Sequence, residues 1–223
     1  MVDIVALTAQ NAARWKVARV DPGKASAFNA VAARLCNLQL RTSYNAVSKL
    51  TSVPWWVIAV IHERECSQSW ECNIAQGDPW TRRSTHDPVG RGPFSSWQNA
   101  AVDALTACPP HAAAWKDWSP GGTLTLLEQY NGLGYAMRDV PSPYIWSGTD
   151  QYKAGKFTRD HYYDPGVADE QLGCAGLLLA MQPIGKFTLD VIPAPVPAAV
   201  PEPTVAALPL QPESLLQKIE DIL

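Results

Sequence analysis

Apolar positions along the first half of the chain recur with helical period. Ala25, Phe28, Val31, Ala32 and Leu35 return at spacings of three and four, as one buried helix face requires. The pattern predicts helix over 25–48, with a second short helix from Thr42 to Leu50. Residues 1–24 are expected to be an extended or turn-rich lead-in, closed by Asp21-Pro22-Gly23. Thr51 or Ser52 caps the next predicted helix, 53–66, and Pro54 falls in its first turn. That stretch is apolar almost all round until its last turn, so it belongs in the middle of a fold. Polar and turn residues then take over. The run NIAQGDPWTRRSTHDPVGRGPF, residues 73–94, holds three glycines and three prolines and predicts a long loop or a small β-hairpin lobe. Helical patterning resumes over 95–107 and 122–131, with Pro109-Pro110 between them. Residues 132–165 are aromatic and turn-rich, and Gln171–Met181 is the last apolar helix. The expected fold class is mainly α with a small loop-rich or β-hairpin lobe.

Past Asp190 the patterning stops. Residues 191–210 contain six prolines and five alanines with a single charge, the composition of a semi-rigid linker. Residues 211–223 end in PESLLQKIEDIL, which places Leu215, Leu216, Ile219 and Ile222 on one face of a short amphipathic helix. Such a helix needs apolar surface to stabilise it, supplied by its own domain, another chain or a membrane surface. The expected organisation is a body of residues 1–190, a linker of 191–210 and a terminal helix of 211–223.

Composition narrows the function classes. Of 223 residues, 47% are apolar, which is too many for a disordered chain. The formal net charge is -3, and the longest basic run is Arg82-Arg83, so no nucleic-acid partner is expected. The body holds 17 basic and 17 acidic side chains, and residues 191–223 hold one lysine and four acids, so the tail carries the whole imbalance. The N-terminus shows no basic region before an apolar stretch. The apolar run Val53–Ile61 is too short to span a bilayer. The chain is therefore expected to be made in the cytoplasm without a signal peptide. A substrate outside the membrane would require another component to let the protein out. Five cysteines cannot all pair within one chain, and their mostly apolar settings suit buried thiols. A Cys66–Cys72 bridge is the one pairing the spacing suggests.

The strongest local anomaly is Ile61-His62-Glu63-Arg64-Glu65-Cys66, where two carboxylates end the most apolar helix. On a helical wheel Glu65 lies about 40° from Ile61 and about 20° from Ile58, whereas Glu63 lies about 160° from Glu65. The two acids cannot serve one site together. A helix C-terminus is unfavourable for a carboxylate, and a place among isoleucines desolvates it, so both effects raise the pKa of Glu65. A carboxyl group protonated near neutral pH is what a glycosidase needs to protonate a leaving sugar oxygen. The plainer alternative is an ion pair with Arg64, Arg82 or Arg83. His62, Cys66 and Cys72 lack an evident fourth ligand for zinc, so no metal or other cofactor is expected. Nucleophile-elbow, dinucleotide and phosphate-loop motifs are absent from the sequence.

The segment VIAVIHERECSQSWECNIAQGDPWTRR resembles the active-site segment of a lysozyme-superfamily branch found in phage endolysins and bacterial peptidoglycan-binding proteins. The run LLEQYNGLGYAMRDVPSPYIWSGTDQYKAGKF resembles the second signature of that branch. The resemblance spans residues 25–182 and is more distantly similar to soluble lytic transglycosylases and goose-type lysozymes. It implies a lysozyme-like fold and a muramidase acting on peptidoglycan glycan strands between N-acetylmuramic acid and N-acetylglucosamine. It also implies Glu65 as general acid and Asp78, in Gly77-Asp78-Pro79, as the loop carboxylate, with Asp87 a weaker alternative. Thr81 or Thr85 takes the part of the threonine of smaller phage lysozymes. Tyr130 and Asn131 bind the acetamido group or orient Glu65, although Asn131-Gly132 also suits a helix C-cap. Tyr135, Tyr144, Trp146 and Tyr152 are candidates for stacking on sugar faces, while Trp55 and Trp56 are expected in the core. Cys66-Ser67 departs from the family's Ser-Ser after the acid. A lytic transglycosylase, giving 1,6-anhydro products, and a non-catalytic wall-binding module are the alternatives.

Overall fold

The computed structural model describes residues 2–159 and 161–189. It is mainly α-helical, with eight α-helices and one small hairpin among the described residues. The linker and terminal helix expected over 191–223 lie outside these residues.

The centre is α4 (Trp55–Cys66), whose residues from Trp55 to His62 are all buried. Because it is apolar on every side, it needs partners on every side. These are α2 (Ala25–Leu35), α3 (Leu38–Thr51) and α8 (Cys174–Gly185), all of which pack against it. The single helix expected over 25–48 is divided. Asn37 interrupts it, and its side-chain oxygen accepts the N–H groups of Gln39 and Leu40 to start α3.

The N-terminal lead-in is instead a helix, α1 (Ile4–Val17). Asp3 caps it, accepting from the N–H groups of Val5 and Ala6 at 2.9 and 3.1 Å. Its buried stripe is Leu7, Asn11 and Trp15. The middle member is polar, so the apolar period is broken in the sequence. The stripe is buried because α1 lies along α6 (Pro120–Tyr130), where Asn11 donates to Thr125 and Glu128. Ser119 caps α6 and Pro120 opens it, two residues before the expected start. α5 (Trp97–Thr106) begins at a Ser96 cap and packs on α3. A four-residue α7 (Pro143–Trp146) bridges α6 and α8.

The hairpin is displaced from where residues 73–94 suggested it. Among the described residues that segment holds no strand, only an isolated bridge between Cys72 and Pro79. The two strands, β1 (Lys156–Arg159) and β2 (Tyr162–Asp164), come from the aromatic segment and pair antiparallel. All five cysteines are free thiols, so Cys66 and Cys72 are not bridged. Among the described residues no helix is long and apolar enough to cross a membrane.

Candidate functional site

The end of α4 is held by a buried polar relay. Ser67 and Gln68 both take left-handed backbone angles (φ 51° and 59°), and their N–H groups bond back to Glu63 and His62 carbonyls. His62 Nε2 lies 2.9 Å from the Ser69 carbonyl, which can only accept, so Nε2 carries the proton. Nδ1 therefore accepts from the Tyr44 hydroxyl at 3.0 Å, and that hydroxyl accepts from Gln68 Nε2 at 2.9 Å. Arg34 closes the relay, donating to Gln68 at 2.7 Å and to both Glu63 oxygens at 3.0 Å. Burial pushes the His62 pKa down to about 4, so the imidazole stays neutral.

Glu65 lies on the other face of the helix, as the wheel requires. The Tyr144 hydroxyl donates to its Oε1 at 2.8 Å. Burial raises its pKa to about 7, against the hydrogen bond from Tyr144 and the charge of Arg64, which pull it down. The arginine pairing of Glu65 is not observed among the described residues. Arg64 turns to the Leu172 carbonyl (2.9 Å) and to Asp169 (3.6 Å), while Arg82 and Arg83 are exposed on the loop. Gly77 brings that loop against the end of α4. It has φ +74°, and a side chain there would press to 3.2 Å from the Glu65 carbonyl.

Asp78 is buried at the base of the loop, with both carboxylate oxygens engaged by the loop itself. One accepts the N–H groups of Thr85 (2.7 Å) and His86 (2.9 Å), and the other faces His86 Nδ1 at 2.8 Å. The backbone N–H of His86 is the largest influence among these, and together they hold the Asp78 pKa down to about 2. Thr85 also turns its hydroxyl to Asp78, at 3.4 Å, and Thr81 is exposed. Both threonines belong to the loop that Asp78 organises.

No family model, curated protein or solved structure matches the chain.

Tyr144 links Glu65 to an open groove of about 440 Å³. Arg64, Asn131, Tyr135, Lys156 and Asp169 also line it; Glu65 is not among the lining residues, but it bonds Tyr144 and is itself partly exposed at the end of α4. Asn131 is the C-cap of α6, exposed at the groove edge, and Gly132 follows at φ +88° to turn the chain away. Tyr130 points inward, and its hydroxyl donates to the Ile74 carbonyl at 3.0 Å.

All four candidate stacking rings have structural partners; Tyr144 is buried, bonds Glu65 and carries the Arg64 guanidinium over its ring, so it offers no open face to a sugar. Trp146 is 1% exposed and lies in the core, so it presents no face to a sugar; the short α7 inserts it there. Tyr152 is buried too. Its hydroxyl donates to the Gly155 carbonyl and accepts from the N–H of Asp169, bracing the hairpin's approach. Tyr135 accepts from the N–H of Phe157 and packs edge-on with Phe157 and Tyr163. Trp55 and Trp56 are buried at the start of α4, as expected.

The sequence offered Arg64 only as a partner for Glu65 and gave no sign of Lys156 and Asp169, which the fold of the hairpin and the segment after it brings to Arg64. The sequence reading also passed over Glu128, a second acid that burial raises to about 7, which sits under α1 away from Glu65's groove. Its signal was present, as an acid inside the apolar run LTLLEQ.

Proposed function

We propose that this protein is a glycosidase that cuts the glycan strands of peptidoglycan, with Glu65 as the proton donor. One observation carries the reading. Glu65 lies in the last turn of the central helix, most of which is buried, with a pKa raised to about 7, and a tyrosine that lines an open groove holds it in place. A group that is half protonated at neutral pH can both give and regain a proton within one turnover. The resemblance of the HEREC and YNG segments to lysozyme-superfamily signatures supplies the substrate class.

In the first step Glu65 protonates the glycosidic oxygen and the C1–O bond breaks, leaving oxocarbenium character on the muramic sugar. In the hydrolytic reading water then attacks C1 and its proton returns to Glu65. The environment of Asp78 favours a second reading, the lytic transglycosylase route. A carboxylate whose two oxygens already accept from Thr85 and His86 is poorly placed to attack C1 or to activate water. With one working carboxyl group, the substrate's own N-acetyl group shields the charge. The sugar's O6 then closes on C1, its proton passes to Glu65, and a 1,6-anhydro end forms.

Digestion of purified sacculi followed by mass spectrometry tests both readings. Products carrying one added water support hydrolysis, and products lighter by one water support the transglycosylase. Sacculi left intact at pH 5–8, while still pulling the protein down on centrifugation, would replace the enzyme with a wall-binding module.

A further inference from the structure

The groove beside Tyr144 is ionic in character. Among its described lining residues, Arg64, Lys156 and Arg159 are cations and Asp169 is the single carboxylate. Asp169 is shared, 2.8 Å from the Lys156 ammonium and 3.6 Å from the nearest Arg64 nitrogen. One negative charge therefore stands between two positive ones. The Arg64 side chain is only 4% exposed and lies over the Tyr144 ring at 4.4 Å. One of its terminal nitrogens is satisfied by the Leu172 carbonyl, but its Nε–H is buried without an acceptor. A buried guanidinium donor without an acceptor is costly, and carboxylates and phosphates both match the guanidinium fork; on the glycosidase reading the carboxylate is the one that the muramic sugar and its peptide supply. Lys156 is the accessible member of the pair, and Arg159 adds charge at the rim, its guanidinium over Tyr162.

We propose that this groove is a carboxylate subsite, in which Lys156 and Arg64 hold a carboxylate carried by the glycan and select acidic strands over neutral N-acetylglucosamine polymers. The proposal rests on the glycosidase reading and adds a substrate preference to it. Peptidoglycan offers such a carboxylate from two sources, the lactyl ether of muramic acid once its peptide is removed and the stem peptide itself.

The test uses the full chain carrying Glu65→Gln, so that sugars bind without being cut. Calorimetric titration compares three probes: the N-acetylglucosamine–N-acetylmuramic acid disaccharide with a free lactyl group, the same disaccharide bearing its stem peptide, and neutral diacetylchitobiose. At least one acidic probe is expected to bind about tenfold more tightly than the neutral one, as one charge-assisted contact provides. The acidic probe that does so identifies the source. Adding Lys156→Gln should remove most of the difference, Lys156→Arg should preserve it, and raising the salt should weaken the acidic probe alone. Equal binding of all three probes, no binding of any, or equal loss for acidic and neutral sugars in Lys156→Gln would overturn the subsite. Sacculus digestion by the wild-type protein separates the two ideas. Acidic preference without digestion retains the subsite and removes the glycosidase, whereas digestion without preference does the reverse.

Discussion

At the scale of single residues, two carboxyl groups are driven in opposite directions by their surroundings. Glu65 loses water and gains one hydrogen bond, so its pKa climbs to about 7. Asp78 gains two backbone N–H groups and an imidazole, and falls to about 2. If Glu65 is the acid, kcat/KM should hold steady on the acidic side of neutrality and decline above about pH 7, as a rate profile would record. Glu65→Gln should lower activity by roughly 10²–10⁴-fold with the melting temperature nearly unchanged. Tyr144→Phe removes a donor that favours the anion. The alkaline limb should therefore move upward, and a downward move would assign Tyr144 another part. Asp78→Asn leaves a single acceptor oxygen where two are used. Hydrogen exchange should speed up across residues 77–93 while the alkaline limb stays in place, and a shift of that limb would return Asp78 to the chemistry. The wheel position of Glu65 could be read before any coordinates, because on a helix the angle follows from numbering alone. The occupation of Asp78 could not, because His86 reaches it only through the path of the loop.

Among the elements, α4 and α1 differ in how openly they declare themselves. α4 is apolar on all sides and capped by a proline turn, so its burial follows from its own letters. α1 carries Asn11 in the middle of its buried stripe, and a polar residue there reads as surface until Glu128 and Thr125 of α6 are seen to receive it. Trp15→Ala should cost about 3–5 kcal/mol in chemical denaturation, the usual loss for a large buried ring. Glu128, 2% exposed in the same interface, sets a pH dependence. Its folded pKa is raised from 4.5 to about 7, so between those values the native state holds a proton that the unfolded chain has released. Stability from this group is thus full below about pH 4.5 and declines as pH rises to about 7, by ~1.4 kcal/mol per unit. Glu65 acts in the same direction. His62, lowered from 6.5 to about 4, acts oppositely below pH 6.5 and not above it. Glu128→Gln should therefore flatten the decline in unfolding free energy between about pH 4.5 and 7, and an unchanged slope would show that α1 does not bury the ionised group.

For the molecule as a whole, residues up to Leu189 supply the described core, and that last leucine is itself buried. A chain ended at Ile192 is accordingly expected to melt as cooperatively as the full chain, and loss of a sharp transition in calorimetry would place core residues further on. Mainly helical architecture, the central helix, the change of character after Asp190 and the anomalous acid at position 65 were legible in the amino-acid order. Each depends on neighbours within a few residues, where periodicity and composition act directly. The helix at the N-terminus and the placement of the hairpin were not legible, since they depend on partners far along the chain; the split at Asn37 is a local cap to Gln39 and Leu40 that the apolar period alone did not reveal. The same holds for the rings. Trp146 and Tyr144 stand two residues apart in one short helix and both are buried, yet only Tyr144 brings its hydroxyl to the acid. An aromatic residue's letter states how much surface it must bury, and only the packing of α7 between α6 and α8 decides which of two buried rings meets Glu65.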